Sequence, residues 1–220
     1  MKLLIIAATK YEIAPLLKCM ETCVERAENK FVCTYKDHSI DLVLTGVGMV
    51  ATAYHTSKAL GQSYDLAINA GICGSFNKNI DLGEVVNVYE DCFSELGAQD
   101  GERFLSLNEL QLPGIQTVNN VSNSVSTKTI DVLPKVTGIT VNTTHGNEAD
   151  IEKVFSKFHP YVESMEGAAF MFVCEQEKVR NIQIRAISNY VEKRNKEQWN
   201  IPLAIEQLNK KLQDILDELK

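Results

Sequence analysis

Glu166 is the side chain whose position in the sequence most clearly suggests chemistry. It stands where a short extended segment, 161–165, meets a helix start at Gly167-Ala168. The first backbone N–H groups of a helix favour negative charge, so a carboxylate held there stays ionised and can accept hydrogen bonds in a cleft. The two small residues that follow let a ligand or another backbone approach closely. The alternative interpretation is an ordinary first-turn acid that only stabilises its helix.

The elements that must position this acid alternate between strand and helix. The patterns predict strands at 3–8, 40–45, 64–70, 85–88, 114–118, 136–143 and 181–188, and a hairpin over 24–35. They predict helices after residue 9 and over 49–60, 148–158, 166–177 and the C-terminal segment from 201. This alternation predicts one α/β domain spanning 1–220, a three-layer α/β/α sandwich with a central mixed, mainly parallel sheet. Residues 90–112 lack a clear pattern, which predicts a long loop.

Glycine and polar residues collect at the carboxyl ends of four predicted strands. These ends are Gly46-Val47-Gly48, a glycine-rich turn at 71–74, Met165-Glu166 and Ser188-Asn189. In open α/β sheets ligands bind at that edge, so the side chains there are candidate site residues. The Gly-Val-Gly turn is weak evidence by itself, because the sequence has neither a complete GxGxxG nor a Walker motif.

Charge and hydropathy exclude several classes of function. The formal net charge of −7 argues against a protein that binds nucleic acid of any sequence, which needs a cationic face. No apolar run reaches the ~20 residues that span a bilayer. Lys10 and Glu12 interrupt the N-terminal apolar stretch where the core of a signal peptide would continue. We therefore expect a cytoplasmic protein that binds neither nucleic acid nor membrane.

The six cysteines form no CxxC pair and do not cluster with the four histidines. They are Cys19, Cys23, Cys33, Cys73, Cys92 and Cys174. Most have apolar neighbours, which predicts buried, reduced thiols with no disulfide framework and no zinc site.

Two segments resemble the nucleoside phosphorylase and nucleosidase superfamily: Glu-Ser-Met-Glu-Gly-Ala-Ala at 163–169 and Arg-Ala-Ile-Ser-Asn-Tyr-Val-Glu-Lys-Arg at 185–194. With the first helix and the two glycine turns, the resemblance extends over nearly the whole chain. Within the superfamily the chain most resembles the futalosine hydrolases, which are relatives of methylthioadenosine/S-adenosylhomocysteine nucleosidase. The resemblance implies hydrolysis of the N-glycosidic bond of futalosine in menaquinone biosynthesis. Hypoxanthine and dehypoxanthine futalosine would be released without metal or organic cofactor.

The resemblance also assigns roles around the sugar. Glu166 would accept hydrogen bonds from the ribose hydroxyls, because two carboxylate oxygens suit a vicinal diol, and Met165 would pack on the sugar face. Glu12 would take a proton from the attacking water, although it too is alternatively a first-turn acid. Arg185 would hold the water or the sugar hydroxyls, or else form only a structural ion pair beneath the site.

Asn189 departs from the adenine-releasing nucleosidases, which carry Asp at the matching position. An Asn NH2 group only donates, which suits purine N7 and a 6-oxo oxygen, so Asn189, with Ser188 before it, indicates hypoxanthine or guanine. A mismatched buried donor or acceptor costs ~1–3 kcal/mol, or about one to two decades of discrimination. The same departure removes the obvious general acid for N7. The alternative for Asn189 is a simple helix cap.

The remaining substrate contacts follow from the resemblance and favour hydrolysis over phosphorolysis. The Gly71 turn carries Ile72 where adenine-releasing relatives have serine, and the Gly46 turn offers no cationic or hydroxyl group for phosphate. Trp199, Thr9 and Val47 would line the pocket for the 5′ substituent, although Trp199 is alternatively a core anchor.

Three alternatives stay open. A methylthioadenosine/S-adenosylhomocysteine nucleosidase is the nearest, and Asn189 argues against it. The others are a purine nucleoside phosphorylase and, from a different class, a non-catalytic nucleoside-binding module. The resemblance also implies a homodimer or larger homo-oligomer that acts on a small nucleoside. We expect the excursion at 90–112 to make the contact between subunits.

Overall fold

The computed structural model describes residues 1–120 and 125–220, and its centre is one large sheet. Within this part of the chain the strands are β1 Lys2–Ala7, β2 Thr22–Ala27, β3 Lys30–Tyr35, β4 His38–Leu44, β5 Leu66–Ser75, β6 Val85–Phe93, β7 Gly97–Asp100, β8 Arg103–Ser106, β9 Thr117–Asn119, β10 Lys135–Thr140, β11 Val162–Ser164 and β12 Asn181–Tyr190. The helices are α1 Lys10–Cys19, α2 Met49–Ala59, α3 Leu107–Leu110, α4 Lys128–Val132, α5 Glu148–Phe158, α6 Gly167–Gln176 and α7 Ile201–Glu218.

The sheet is mixed and lies between two layers of helices. Its strand order is β11-β10-β6-β12-β5-β1-β4-β3-β2, with β9 beside β6. Strand β11 also pairs antiparallel with β5, so one half of the sheet closes on itself. Helices α1, α4 and α7 pack together on one side, and α2 packs against α6 on the other. The predicted α/β/α sandwich with a mixed central sheet is confirmed.

The core elements form where the apolar pattern predicts them. Leu3, Leu4, Ile5 and Ile6 are fully buried, as a continuous apolar run in a strand covered on both faces requires. In α7, the buried residues recur every three or four positions on one face. In the described part of the chain, no helix combines the length and the hydropathy needed to cross a bilayer.

The glycine-rich stretch at 71–74 is not a turn, contrary to the prediction. Strand β5 continues through it to Ser75. Its far end pairs with β12 on one side and with β11 on the other, as in the pairs of Gly74 with Asn189 and with Glu163. These partners hold the backbone extended where the glycines alone indicated a reversal.

Residues 90–112 are also more regular than the predicted loop. Strand β6 runs to Phe93, and β7 and β8 form a separate hairpin whose register pairs Asp100 with Arg103. The turn begins at Gly101, whose φ of +59° suits glycine. The hydrophobic pattern is weak because the residues of β7 are all exposed. The available hairpin signal was Gly101 at the first position of a two-residue loop.

One pair of cysteines corrects the expectation of six reduced thiols. Cys23 and Cys33 face each other across β2 and β3 and are disulfide-bonded. The hairpin register brings them together, although neither cysteine belongs to a CxxC motif. Cys73, Cys92 and Cys174 are free and buried as predicted, whereas Cys19 is free and exposed.

Candidate active site

Glu12 is held by a reciprocal capping box at the start of α1. The Thr9 hydroxyl accepts a hydrogen bond from the Glu12 backbone N–H at 3.3 Å. In return, Glu12 Oε2 accepts from the Thr9 N–H at 2.9 Å and from the Thr9 hydroxyl at 2.8 Å. Its other oxygen, Oε1, accepts from the Ile72 N–H at 3.2 Å. Thr9 therefore lies beside Glu12 and fixes its orientation.

The surroundings of Glu12 favour the protonated form of its carboxyl group. Burial raises the pKa of Glu12, and the nearby Glu166 carboxylate raises it further, against the opposing effects of the Thr9 hydrogen bonds and the Arg185 charge. A raised pKa makes a carboxylate a stronger base, which is the property that a proton acceptor in a cleft needs.

Glu166 stands at the N-terminus of α6, but its side chain is directed to other partners. It is the N-cap residue, yet its carboxylate makes no capping hydrogen bond to its own helix. Instead Oε1 accepts from the Gly48 N–H at 3.1 Å, and Oε2 lies 3.5 Å from Arg185 Nη1. The Gly-Val-Gly turn thus supplies a backbone donor to Glu166, with Val47 exposed beside it and the half-buried Met165 preceding it.

Arg185 lies beneath the two glutamates and is 1% exposed. Its Nε donates to Gln183 Oε1 at 3.0 Å and its Nη2 donates to Asn69. Gly71 makes room for it, since a Cβ at that position would lie 2.3 Å from Arg185 Nη1 and 3.0 Å from Glu12 Oε1. The guanidinium therefore sits between two acids, in the position of an ion pair under the site.

A third buried carboxyl group, that of Asp91, supports this arrangement and was missed from the sequence. Asp91 accepts from Gln183 Nε2 and from the Thr140 hydroxyl, both at 2.9 Å. Thr140 in turn accepts from the Ala168 N–H in the first turn of α6. Burial raises the pKa of Asp91 to about 6. Asp91 falls in 90–112, where a loop was predicted, so no local pattern marked it as a buried residue.

Asn189 lies further along the same sheet edge, in β12. Its Oδ1 accepts from the Ser188 hydroxyl at 2.8 Å, and its Nδ2 donates to the Tyr190 carbonyl at 3.0 Å. A Cβ added to Gly74 would lie 3.1 Å from Nδ2, so the amide nitrogen faces the open side of that glycine. Ser188 is buried and orients the amide, and Asn189 lies in a strand rather than at a helix cap.

A cavity of about 150 Å3 opens beside Asn189. Its walls include Gly74, His145, Glu163 and Trp199. The Arg194 guanidinium lies 4.8 Å from the centre of the Trp199 ring. Trp199 therefore borders the Asn189 cavity, whereas Thr9 and Val47 lie beside the two glutamates. His145 and Glu163 were not singled out from the sequence.

The predicted site residues therefore fall into two groups at one sheet edge. Glu12, Glu166 and Arg185 form a buried charged cluster, and Asn189 borders the neighbouring cavity. Among the residues that the structure describes, no group of three or more His, Cys, Asp or Glu side chains is arranged to hold a metal ion.

Comparison with known proteins identifies the family to which the chain belongs. A family model described as "Phosphorylase superfamily" matches residues 2–219. The chain is 29% identical over 197 residues to a futalosine hydrolase of Streptomyces coelicolor, covering 82% of this chain and 81% of that protein. It is 26% identical over 198 residues to an aminodeoxyfutalosine nucleosidase of Campylobacter jejuni, covering 86% of each. The fold matches that of Helicobacter pylori futalosine hydrolase with a TM-score of 0.84 at 19% identity, over 99% of this chain and 98% of that one.

Proposed function

Because the chain belongs to the phosphorylase superfamily, we propose that it hydrolyses the N-glycosidic bond of futalosine and releases hypoxanthine and dehypoxanthine futalosine. Relatives described as futalosine hydrolases, at 25 to 30% identity, support this choice. The reaction belongs to menaquinone biosynthesis and needs neither a metal nor an organic cofactor.

In the proposed mechanism, the charged cluster acts on the sugar. Glu12 takes a proton from the attacking water, a role that its burial and raised pKa support. Glu166 accepts the ribose hydroxyls and stabilises the positive charge that develops on the sugar as the bond breaks. Arg185 is too deeply buried to be the main ligand contact, and it positions Glu166 through their ion pair.

The observation that carries the choice of base is the orientation of the Asn189 amide. Its oxygen accepts from Ser188, so its nitrogen faces the cavity and presents a donor. A donor suits an acceptor on the base, such as N7 or O6 of hypoxanthine, and mismatches the 6-amino group of adenine. Met165, Val47 and Trp199 complete the proposed substrate contacts.

We further propose that the protein works in the cytoplasm as a homo-oligomer. Val47, Val50 and Tyr54 support the assembly, because these apolar side chains on and before α2 are 57%, 82% and 58% exposed near the proposed site. The β7–β8 hairpin offers a second surface for a neighbouring subunit, because every residue of β7 is exposed. The mass in solution, compared with 24.6 kDa for one chain, decides whether the protein is oligomeric.

One assay separates the candidate activities. Futalosine, inosine and methylthioadenosine are incubated with the protein, with and without phosphate, while the free base is followed. We expect hypoxanthine from futalosine at a rate that does not depend on phosphate. Strict dependence on phosphate would identify a phosphorylase, and preferred release of adenine from methylthioadenosine would identify the adenine-releasing nucleosidase.

Glu12→Gln tests whether the protein is a catalyst or only a binding module. Removing the base should lower kcat by about 100- to 10,000-fold, the usual contribution of general base catalysis. Glu206→Gln, a change at an exposed position on α7, is the control and should leave kcat unchanged. Tight nucleoside binding without turnover by the unaltered protein would favour the binding module.

A further inference from the structure

The cavity beside Asn189 holds a second donor, and its geometry carries an inference that rests on the proposed function. We propose that His145, held in place by Glu163, is the general acid that gives a proton to N7 of the departing purine. The departure of Asn189 from aspartate leaves the reaction without an obvious acid. His145 supplies that missing group from the opposite wall of the cavity.

The two walls are built by adjacent strands of the sheet. Gly74 in β5 pairs with Glu163 in β11 and with Asn189 in β12. Directly paired residues present their side chains to the same face, and neighbouring strands lie about 4.8 Å apart. Glu163 and Asn189 therefore stand roughly 10 Å apart, with a glycine between them that leaves an open slot. The cavity is smaller than the ~300–1,000 Å3 of a complete ligand site, so it suits one part of a nucleoside, the base.

Glu163 holds His145 at two points. The His145 backbone N–H donates to Glu163 Oε1 at 3.0 Å, and the ring Nδ1 hydrogen-bonds Oε2 of the same carboxylate. The carboxylate is buried and the His145 side chain is 17% exposed. Over residues 1–120 and 125–220, the structure shows no hydrogen-bond partner for His145 Nε2. Because Nδ1 is taken by Glu163, Nε2 is the ring nitrogen that we assign to a ligand in the cavity.

Asn189 alone cannot supply a hydrogen-bond donor to both acceptors of the base, so a second donor is needed. The Asn189 amide has two N–H bonds, and one of them donates to the Tyr190 carbonyl. The remaining N–H can satisfy only one of the two acceptors, N7 and O6, on a 6-oxopurine. With Asn189 on O6, the Nε2–H of His145 meets N7.

The charges around His145 favour the imidazolium form. The hydrogen bond that His145 donates to the Glu163 carboxylate raises the pKa of His145, with smaller contributions from Glu95 and Asp150, while burial opposes them. Glu192 and Arg194 also line the cavity, and the Arg194 charge is stacked on a tryptophan ring. His145 also borders a larger cavity lined by Glu95, Asp150, Lys153 and Lys157, and the net effect of its surroundings is a raised pKa.

In the proposed step, one proton passes to the purine and one passes to Glu12. The C1′–N9 bond breaks and its electron pair passes into the purine ring, while the Nε2 proton of His145 moves to N7. Water forms the new C1′–O bond and loses a proton to Glu12. The products are neutral hypoxanthine and a free sugar hydroxyl. Neutral His145 then regains a proton from solvent. Glu12 releases its extra proton to solvent.

The pH dependence of kcat tests this assignment. The active form has Glu12 ionised and His145 protonated, so kcat should rise with pH through the pKa of Glu12 and fall through that of His145. In His145→Gln, kcat at pH 7 should fall at least 100-fold and the descending limb should disappear. In Glu163→Gln, the descending limb should move to lower pH, because the interaction that raises the pKa is gone. His55→Gln on α2 is the control and should keep the profile of the unaltered protein.

Two results would overturn the inference. One is His145→Gln with kcat within about threefold of the unaltered protein. The other is a large loss of kcat with the descending limb unchanged in both variants, which would give His145 and Glu163 a purely structural role. If the unaltered protein released another purine in preference to hypoxanthine, the proposed function would fail, yet the same profiles measured on that nucleoside would still test His145.

Discussion

The two ends of the candidate site are built by opposite means. At the ribose end Glu12 and Glu166 are each 6% exposed, and their carboxylate oxygens are held by a capping box, a backbone N–H and Arg185. At the base end Asn189 and His145 are only half-buried, and the cavity is lined both by strand residues and by the loops after β10 and β12. One end is a closed network of charges, and the other is a partly open cavity.

This difference separates two tasks. Bond cleavage needs fixed charges near the sugar whichever base departs, and a buried network anchored to strands provides them. Choice of base needs only a few donors on one edge, and these can change without disturbing the network. Substitutions at the ribose end should therefore lower kcat for every substrate, whereas substitutions at the base end should change preference.

Among the substitutions that test this separation, the largest effect is expected from Gly71→Ala. The added methyl carbon would overlap Arg185 Nη1, which is buried and cannot move aside, and would press on Glu12 Oε1. A displacement of about 1 Å in a catalytic group can cost roughly 100-fold in rate, so kcat should fall at least that far for both 6-oxo and 6-amino substrates. Gly61→Ala is a matched control, because its Cβ would meet only the Lys58 carbonyl at 3.5 Å. A loss confined to one base would contradict the separation of the two ends.

The fold was predictable where the apolar pattern was continuous. Buried strands such as β1 and the long amphipathic α7 were recovered from their periodicity. Strand β5 was cut short at Gly71, because glycines normally indicate turns and only tertiary contacts explain why these do not. The β7–β8 hairpin was missed because its exposed strands bury too little to show a pattern.

The site was predictable at the ribose end and only partly at the base end. Glu12 and Glu166 stand at strand-to-helix junctions, which a sequence displays directly. His145 and Glu163 lie 18 residues apart and meet through the pairing of β11 with β10, because His145 lies in the loop that follows β10. Such a pair has no local signal. The same holds for Asp91, whose partners come from two other strands.

A smaller effect, and one confined to the base, is expected from Asn189→Asp. An aspartate oxygen would replace the nitrogen that now donates to the Tyr190 carbonyl 3.0 Å away, and this contact would favour the protonated carboxyl group. The mismatch of one buried donor or acceptor is worth ~1–3 kcal/mol, so the preference for a 6-oxo over a 6-amino purine should fall about ten- to a hundredfold. Comparing kcat/KM for futalosine and its 6-amino analogue measures this change. An unchanged preference would remove Asn189 from the choice of base.

The smallest effect is expected from Arg194→Ala. Its guanidinium stacks on Trp199 at the open wall of the cavity, and such exposed cation–π pairs are worth ~0.5–1 kcal/mol. Without the guanidinium, Trp199 should be less firmly positioned. KM should therefore rise by about two- to fivefold while kcat stays the same. Lys193→Ala, a change at the exposed neighbouring residue, is the control. A drop in kcat of more than about tenfold would mean that this wall takes part in bond cleavage, and the base end would then resemble the ribose end in function despite its open construction.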